Sequence, residues 1–177
     1  MIKLEKIKLA NKIRIVKNQK KFDSCSENHR SFYTKYAFIV SRTLRTPIFQ
    51  NFLKFLIKNE QIEKKSVKDI QIRVFPFIKN NGKSIAGRCN SKGIIRIFPK
   101  RQKFLKKKLQ NHKEKTHFYI RSRAMAALIH EILHIKYEGN EHKVRKLTKK
   151  YFKIFIHHQN PNSQCVNNIH KMVFKGL

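Results

Sequence analysis

The chain has 177 residues, of which 40% are hydrophobic, and a formal net charge of +32 from 42 Lys and Arg against 10 Asp and Glu. This length and apolar content predict one folded domain with its own core, and they argue against a disordered chain despite the charge. The apolar runs are too short to cross a bilayer, and the basic N-terminus lacks the apolar stretch of a signal peptide, so we expect no membrane span.

Three segments differ in composition along the chain. Residues 1–30 are rich in lysine and then polar, which predicts a basic N-terminal extension with at most a short helix or strand. Residues 31–158 carry the periodic apolar patterns and form the predicted domain. Residues 159–177 are rich in Asn, Ser and Pro at first and form the predicted C-terminal tail.

The first strong helix signal is Thr46-Pro47, a capping hydroxyl followed by a proline at the first helical position. Apolar residues at helical spacing follow, and we expect this helix to run to about Lys64. Three short segments then have the apolar patterns of strands, separated by turns that contain Asn and Gly: 69–75, 85–89 and 93–99. We expect these strands to form a small meandering sheet, antiparallel or mixed.

The segments that follow are predicted to be mainly helical. The lysine-rich stretch 100–117 is typical of a solvated surface helix or loop, with a phosphate-binding patch as the alternative. From about Tyr119 to Tyr137 the chain is apolar on most sides, which predicts a helix in the centre of the domain. Gly139-Asn140 predicts a helix stop and an N-cap, followed by a second helix from Glu141 towards His157. The expected fold class is α+β, with the small sheet packed on the central helix.

His130, Glu131 and His134 form the pattern His-Glu-x-x-His within this central helix. Two histidines four residues apart project from one face of a helix and can hold one metal ion, while the glutamate between them can activate bound water. A chance occurrence in a chain of this composition is expected roughly 0.02 times. Because the surrounding positions are apolar, we expect these side chains to be at least partly buried and to need polar partners, which a metal would supply.

Catalytic zinc sites use three protein ligands, and Glu138, Glu141 and His142 are the candidates for the third. Glu138 is excluded on a straight helix, because the row from His130 to Glu138 spans about 12 Å at 1.5 Å per residue. On the following helix, Glu141 borders the apolar side, whereas His142 falls among basic residues on the opposite side. We therefore favour Glu141 as the third ligand, with His142 as the alternative.

The chemistry of such a site follows from its ligands. A zinc ion held by His130, His134 and Glu141 would lower the pKa of its bound water towards 7 and polarise a substrate carbonyl. Glu131 would accept the proton of that water and return it to the leaving amine. The residue that stabilises the oxyanion is left open by the sequence, with packing as the alternative role of each tyrosine; the candidates are Tyr137, Tyr119, Tyr151 and Arg123.

The segment Ala127–Ile135 resembles the active-site helix of the zincin metallopeptidases, in which the positions around the motif are uncharged. The order of helix, three strands and motif helix over residues 46–157 is similar to that of the minimal zincins, the minigluzincins and the SprT-like proteases. This resemblance implies zinc at His130 and His134, a general base at Glu131, and a small sheet whose edge strand aligns a peptide substrate. SprT-like proteins have a further histidine beyond the second, whereas a glutamate that opens the next helix is closer to the gluzincin pattern.

The positive charge and the cysteines indicate partners and location. A field of +32 attracts polyanions, above all nucleic acid, although a chain from an AT-rich genome would also be rich in Lys, Asn, Ile and Phe. The three cysteines, Cys25, Cys89 and Cys165, are far apart and odd in number. This fits a reducing, cytoplasmic environment better than a disulfide framework.

The sequence therefore predicts a zinc-dependent metallopeptidase that acts on a peptide or protein substrate. The basic surface extends this prediction to substrates that are themselves bound to nucleic acid. Two alternative functions use the same features. One is a nucleic-acid-binding protein on an inactive zincin scaffold, and the other is a metal-dependent ribonuclease or related hydrolase.

Overall fold

A computed structural model of the protein describes residues 9–157 and 171–174. Its fold is mixed α+β, as the sequence predicts. The strands are β1 (Ile13–Val16), β2 (Asp69–Arg73), β3 (Gly87–Cys89) and β4 (Ile94–Ile97). The helices are α1 (Gln19–Ser24), α2 (Glu27–Leu44), α3 (Pro47–Asn59), α4 (Gln102–Leu109), α5 (Lys113–Tyr137) and α6 (Glu141–His157). Most of the predicted C-terminal tail lies outside the described residues, apart from a helical turn at 171–174.

The four strands form one mixed sheet in the order β1-β2-β4-β3. β1 and β4 lie parallel to β2 on either side of it, and β3 pairs antiparallel with β4 at one edge of the sheet. The predicted meander is therefore wrong, because β4 and not β3 is the neighbour of β2. Alternation of apolar and polar residues shows which face of a strand is buried, but it does not identify the strand that lies beside it.

The strand β1 comes from the segment that the sequence assigned to the basic extension at 1–30. Its four residues pair with Ile70 to Arg73 of β2, and Ile13 is 2% exposed. α2 also begins within that segment, at Glu27, where the side chain of Ser26 accepts a hydrogen bond from the N–H of His29. This part of the predicted extension thus contributes to the sheet and to the core.

The two faces of the sheet differ in character. Isoleucines at alternate positions of β1, β2 and β4 are almost fully buried: Ile13, Ile70, Ile72, Ile95 and Ile97. This face is covered by α2, which packs on β1 and β2, and by α5, which packs on β3 and β4 and also along α2. The intervening positions, which include Arg14, Gln71 and Arg96, point to the opposite face.

The helix α3 begins at Pro47 as predicted but ends at Asn59, well before the predicted end at Lys64. Gln61 adopts a positive φ of 53°, and the N–H of Ile62 bonds back to the carbonyl of Ile57, which closes the helix. The predicted cap is also wrong in detail, because the hydroxyl of Thr46 donates to the carbonyl of Thr43 and makes no cap hydrogen bond. The proline alone marks this helix start.

The central helix α5 is 25 residues long and contacts α2, α4, α6 and the sheet. Its burial is almost continuous from Tyr119 to Leu133, which confirms the central helix expected from the apolar sequence. The lysine-rich stretch 100–117 forms α4 and the start of α5. In α4, Leu105 and Leu109 are buried and the lysines between them are exposed. Within the described parts of the chain, no helix is long and apolar enough to cross a bilayer.

Candidate metal centre

The helix α5 places His130 and His134 one turn apart on the same side. His130 is 6% exposed and Glu131 is 5% exposed, whereas the side chain of His134 is 21% exposed. The expectation that all three are at least partly buried is confirmed. The Nε2 atoms of the two histidines lie 3.1 Å apart, so the two rings converge on one point.

Glu141, the first residue of α6, reaches the same point from the other side of the turn between the helices. Its Oε2 lies 3.1 Å from Nε2 of His134, and its Oε1 lies 3.6 Å from Nε2 of His130. His142 and the side chain of Glu138 are exposed. Among the described residues, His130, His134 and Glu141 form the one group of histidine, cysteine and acidic side chains that could hold a metal ion.

The turn between α5 and α6 is made by Glu138 rather than by Gly139. Glu138 has φ 39° and its N–H bonds to the carbonyl of His134, whereas the predicted helix stop at Gly139 has no positive φ. A non-glycine residue in this region costs about 1–3 kcal/mol, so its surroundings must hold it there. Nδ1 of His134 does so by donating to the carbonyl of Glu138 at 2.6 Å. The side chain of Asn140 caps α6 as predicted, since it accepts the N–H of Lys143.

The hydrogen bonds around the two histidines fix the position of their protons. The hydroxyl of Thr148 donates its one proton to the carbonyl of Val144 at 2.7 Å, so towards His130 Nδ1, 3.2 Å away, it acts as acceptor. Nδ1 of His130 therefore carries the ring proton, as does Nδ1 of His134, which faces a carbonyl oxygen. The two Nε2 atoms consequently present lone pairs to each other and to a carboxylate.

This arrangement fits a metal ion. Two donors that are each about 2.0–2.1 Å from a tetrahedral ion lie roughly 3.3 Å apart, and the separations here are 3.1, 3.1 and 3.6 Å. Burial and the neighbouring His134 lower the pKa of His130 far below its ordinary value, so its Nε2 stays unprotonated at neutral pH. Hydrogen bonds on the outer nitrogens of metal-binding histidines orient the rings in the same way.

Glu131 faces the edge strand β3 across a very short gap. A Cβ on Gly87 would lie 2.7 Å from Cγ and Oε1 of Glu131, so only glycine permits this approach. Burial raises the pKa of Glu131 to about 8, although the backbone N–H of Cys89 acts to lower it, and the charge of Glu141 raises it further. Burial also raises the pKa of the Cys89 thiol to about 11, which makes a thiolate nucleophile unfavourable here.

Several residues around the centre were not identified from the sequence. Arg145 donates from Nε to Oε1 of Glu141 at 2.6 Å, and Thr148 orients His130. Burial acts to raise the pKa of Glu141, but the Arg145 hydrogen bond and the two histidines outweigh it and the pKa is lowered. The spacing of these residues could have identified them as neighbours of Glu141, because positions 141, 145 and 148 share one face of a helix.

Two of the four candidates for oxyanion stabilisation contact Glu60, and the other two are buried in the core. The hydroxyls of Tyr137 and Tyr151 donate to the carboxylate of Glu60, and an oxyanion role for Tyr137 stays a prediction. Tyr119 is fully buried in the core. Arg123 is also buried and donates to the backbone carbonyls of Phe98 and Ile85, two helical turns before His130. Its contacts indicate a role in holding the chain after β4 against α5.

No protein-family model, no curated protein and no solved structure matches this chain. Membership of the zincin metallopeptidases therefore stays a prediction from residues 127–135 and from the order of the elements. The described residues themselves show a mixed α+β fold and a His-His-Glu group that could hold a metal ion.

Proposed function

We propose that the protein is a zinc-dependent metallopeptidase. The observation that carries the proposal is the convergence of His130, His134 and Glu141, together with the burial of Glu131, the residue that follows His130 on the same helix. Two imidazole nitrogens and one carboxylate are a common ligand set of catalytic zinc, and they leave a further position for water. When bound there, zinc would lower the pKa of that water and polarise a substrate carbonyl.

Glu131 is the proposed general base. Its carboxyl group belongs to the residue that follows His130 on α5, and burial shields it from bulk water, which suits a group that takes a proton from metal-bound water. We propose that it accepts a proton from the attacking water and returns it to the leaving amine. The backbone N–H of Cys89, on the edge strand, is a hydrogen-bond donor to this carboxyl group and acts to lower its pKa.

The strand β3 is the proposed guide for the substrate. Among the strands that the structure describes, it forms one edge of the sheet and pairs with β4 alone. An extended peptide can add to such an edge through main-chain hydrogen bonds, and Gly87 brings this edge next to Glu131. A peptide aligned on β3 would therefore present its backbone carbonyls close to the proposed general base.

The substitution Glu131→Gln tests the proposal. It should leave about one zinc per chain bound but lower the rate of peptide cleavage by at least about 100-fold, because the proton acceptor is lost. Cleavage of a mixed peptide pool is followed by mass spectrometry, and metal content is measured by elemental analysis of the same samples. Glu63→Gln, an exposed glutamate with no contact to the centre, is the matched control and should behave as the wild type.

Two results would count against the proposal. One is a zinc-loaded wild-type protein that cleaves no peptide in the pool. The other is a Glu131→Gln protein that retains full cleavage. If oligoribonucleotides and not peptides are cleaved in a Glu131-dependent way, the centre belongs to a metal-dependent nuclease.

A further inference from the structure

The sheet face that points away from α5 carries one arginine from each of its four strands. Arg14, Gln71, Arg96 and Arg88 lie side by side in register across β1, β2, β4 and β3. Arg73 stands two residues after Gln71 on β2 and so projects from the same face. We call Arg14, Arg73, Arg88 and Arg96 the arginine face.

The helix α5 lies against the face of the sheet opposite to the arginine face, as the pairing of β3 with β4 shows. Gly87 and Cys89 of β3 pair with Ile97 and Ile95 of β4, and Gly87 contacts Glu131 of α5. The alternate positions of the strands must then point away from α5, where Arg14 and Arg88 are exposed and Arg96 and Arg73 are half-buried. The arginine face and the metal centre thus lie on opposite sides of the sheet.

Most of the charge on this face is not neutralised by the protein. Asp69 binds Arg14 at 2.6 Å and also accepts a hydrogen bond from Gln71. Across residues 9–157 and 171–174, Arg73, Arg88 and Arg96 have no acidic group within 4.0 Å. Burial lowers the pKa of Arg73, and the charges of Arg96 and Arg14 lower it further. Like charges on neighbouring strands are destabilising, and an anionic partner would relieve the repulsion.

An exposed aromatic ring borders the arginine face. Phe98 follows Arg96 by two residues, and its N–H extends the hydrogen bonding between β4 and β3 by donating to the carbonyl of Ala86. Its side chain therefore lies on the same side of the sheet as Arg96. Phe77, which is 42% exposed, packs on Phe98 with ring centroids 5.5 Å apart. Phe77 belongs to the loop between β2 and β3, whose lysines Lys79 and Lys83 are exposed. The border of the face therefore combines an open ring with further positive charge.

We propose that the arginine face binds single-stranded nucleic acid, with the guanidinium groups on the phosphates and a base stacked on Phe77. Planar guanidinium groups match phosphate geometry and form paired hydrogen bonds with it. Four strands at about 4.8 Å spacing give a platform roughly 14 Å wide, which suits a few nucleotides. A ring that stacks on bases favours a single strand over a duplex, in which the base faces are hidden.

The triple substitution of Arg73, Arg88 and Arg96 by Gln tests the proposal. Binding of a short fluorescent oligouridylate is measured by anisotropy over a range of salt concentrations. The triple variant should bind at least about tenfold more weakly, and the slope of log K against log salt should fall by about 2, since each phosphate contact contributes about 0.7. Phe77→Ala should weaken the single strand by about fivefold or more and leave duplex binding unchanged.

The matched control replaces Lys106, Lys107 and Lys108 of α4 by Gln, which removes the same charge from an exposed helix. This control should bind within about twofold of the wild type. Equal weakening by both triple variants would overturn the proposal, because the net charge and not the arginine face would then determine binding. If the triple arginine variant fails to fold, the single variant Arg88→Gln on the edge strand is used with Lys107→Gln as its control.

Two further measurements distinguish nucleic-acid binding from peptide cleavage and from membrane binding. Glu131→Gln should bind the oligonucleotide as the wild type does. The proposal for peptide cleavage and the proposal for nucleic-acid binding can therefore each be contradicted without the other. Vesicles that contain phosphatidylserine should bind no better to the wild type than to the triple arginine variant. Vesicle binding that depends on the arginine face, without oligonucleotide binding, would overturn the proposal in favour of a membrane surface.

Discussion

The imidazole of His130 is oriented by a residue of the neighbouring helix. Thr148 accepts the Nδ1 proton of His130 because its own proton is donated to the carbonyl of Val144. Glu141 lies on the same face of α6, seven residues earlier. One helix therefore supplies both a candidate ligand and the group that orients a candidate ligand on another helix.

At this scale we predict that Glu141→Ala weakens zinc binding by more than about 100-fold, whereas His142→Ala leaves it unchanged. The expected loss exceeds that of a substitution outside the ligand set, which is about 10–100-fold. Zinc affinity is measured by competition with a chromogenic chelator. The reverse result, with zinc lost in His142→Ala and retained in Glu141→Ala, would contradict the ligand assignment.

Side-chain patterns could exclude Glu138 as a ligand but could not reveal what its backbone does. The side chain of Glu138 is exposed, while its carbonyl accepts the Nδ1 proton of His134. Backbone carbonyls are present at every residue, so no sequence pattern distinguishes this one. The positive φ of Glu138 results from the local turn between α5 and α6.

At the scale of elements, Glu60 connects three helices. Its carboxylate accepts the hydroxyls of Tyr137 at the end of α5 and Tyr151 in α6, and its own carbonyl accepts Nζ of Lys136. Burial acts to raise the pKa of Glu60, but these hydroxyls and the charge of Lys136 outweigh it and the pKa is lowered. This carboxylate holds the end of α3 against the two helices that carry the candidate metal centre.

We therefore predict that Glu60→Gln lowers the free energy of unfolding at pH 7 by about 1.5–3 kcal/mol, the usual range for hydrogen bonds to a charged group. Because the folded pKa of Glu60 is depressed, its contribution is present above the unfolded value of about 4.3 and is lost as the pH falls through the folded pKa. The difference in the free energy of unfolding between the variant and the wild type should thus shrink below about pH 4. Urea unfolding at a series of pH values measures it.

The control for this prediction is Glu63→Gln, since Glu63 is exposed and lies three residues further along the same connection. It should change the free energy of unfolding by less than about 0.5 kcal/mol at any of these pH values. A difference between Glu60→Gln and wild type that stays constant from pH 7 to acid would contradict the ionic origin of the effect.

On the scale of the whole molecule, the candidate metal centre and the arginine face lie on opposite sides of the sheet. The chain has only 10 acidic residues, and Glu60, Glu131 and Glu141 lie on the helical side of the sheet. The arginine face occupies the other side, with Asp69 as its acidic neighbour. A separation of this kind allows a cation and a polyanion to bind the same small protein without competing for one surface.

We predict that zinc stabilises the whole fold, because its ligands come from both α5 and α6. A ligand at about 100 times its dissociation constant adds about 2.7 kcal/mol, which corresponds to a rise in Tm of about 5–10 °C for a chain of this size. Differential scanning fluorimetry with zinc and with chelator measures the shift. Glu141→Ala should show no such shift, and an identical Tm of the wild type with zinc and with chelator would contradict the prediction.

The sequence by itself determined the features that depend on local backbone geometry. The spacing of His130 and His134 placed them on one helical face, the apolar residues from Tyr119 onwards predicted a buried helix, and the phase of the next helix placed Glu141 nearer to them than His142. These conclusions need only the periods of a helix and a strand.

Only the tertiary structure decided which distant segments became neighbours. The pairing of β1 with β2, the insertion of β4 between β2 and β3, and the hydrogen bond from His130 to Thr148 all join residues far apart or on separate elements. The arginine face depends on all three strand pairings, because four arginines from four strands meet only once the strand order is set. Local periodicity specifies the buried face of each element but not its partner, and for that reason these features could not be read from the chain.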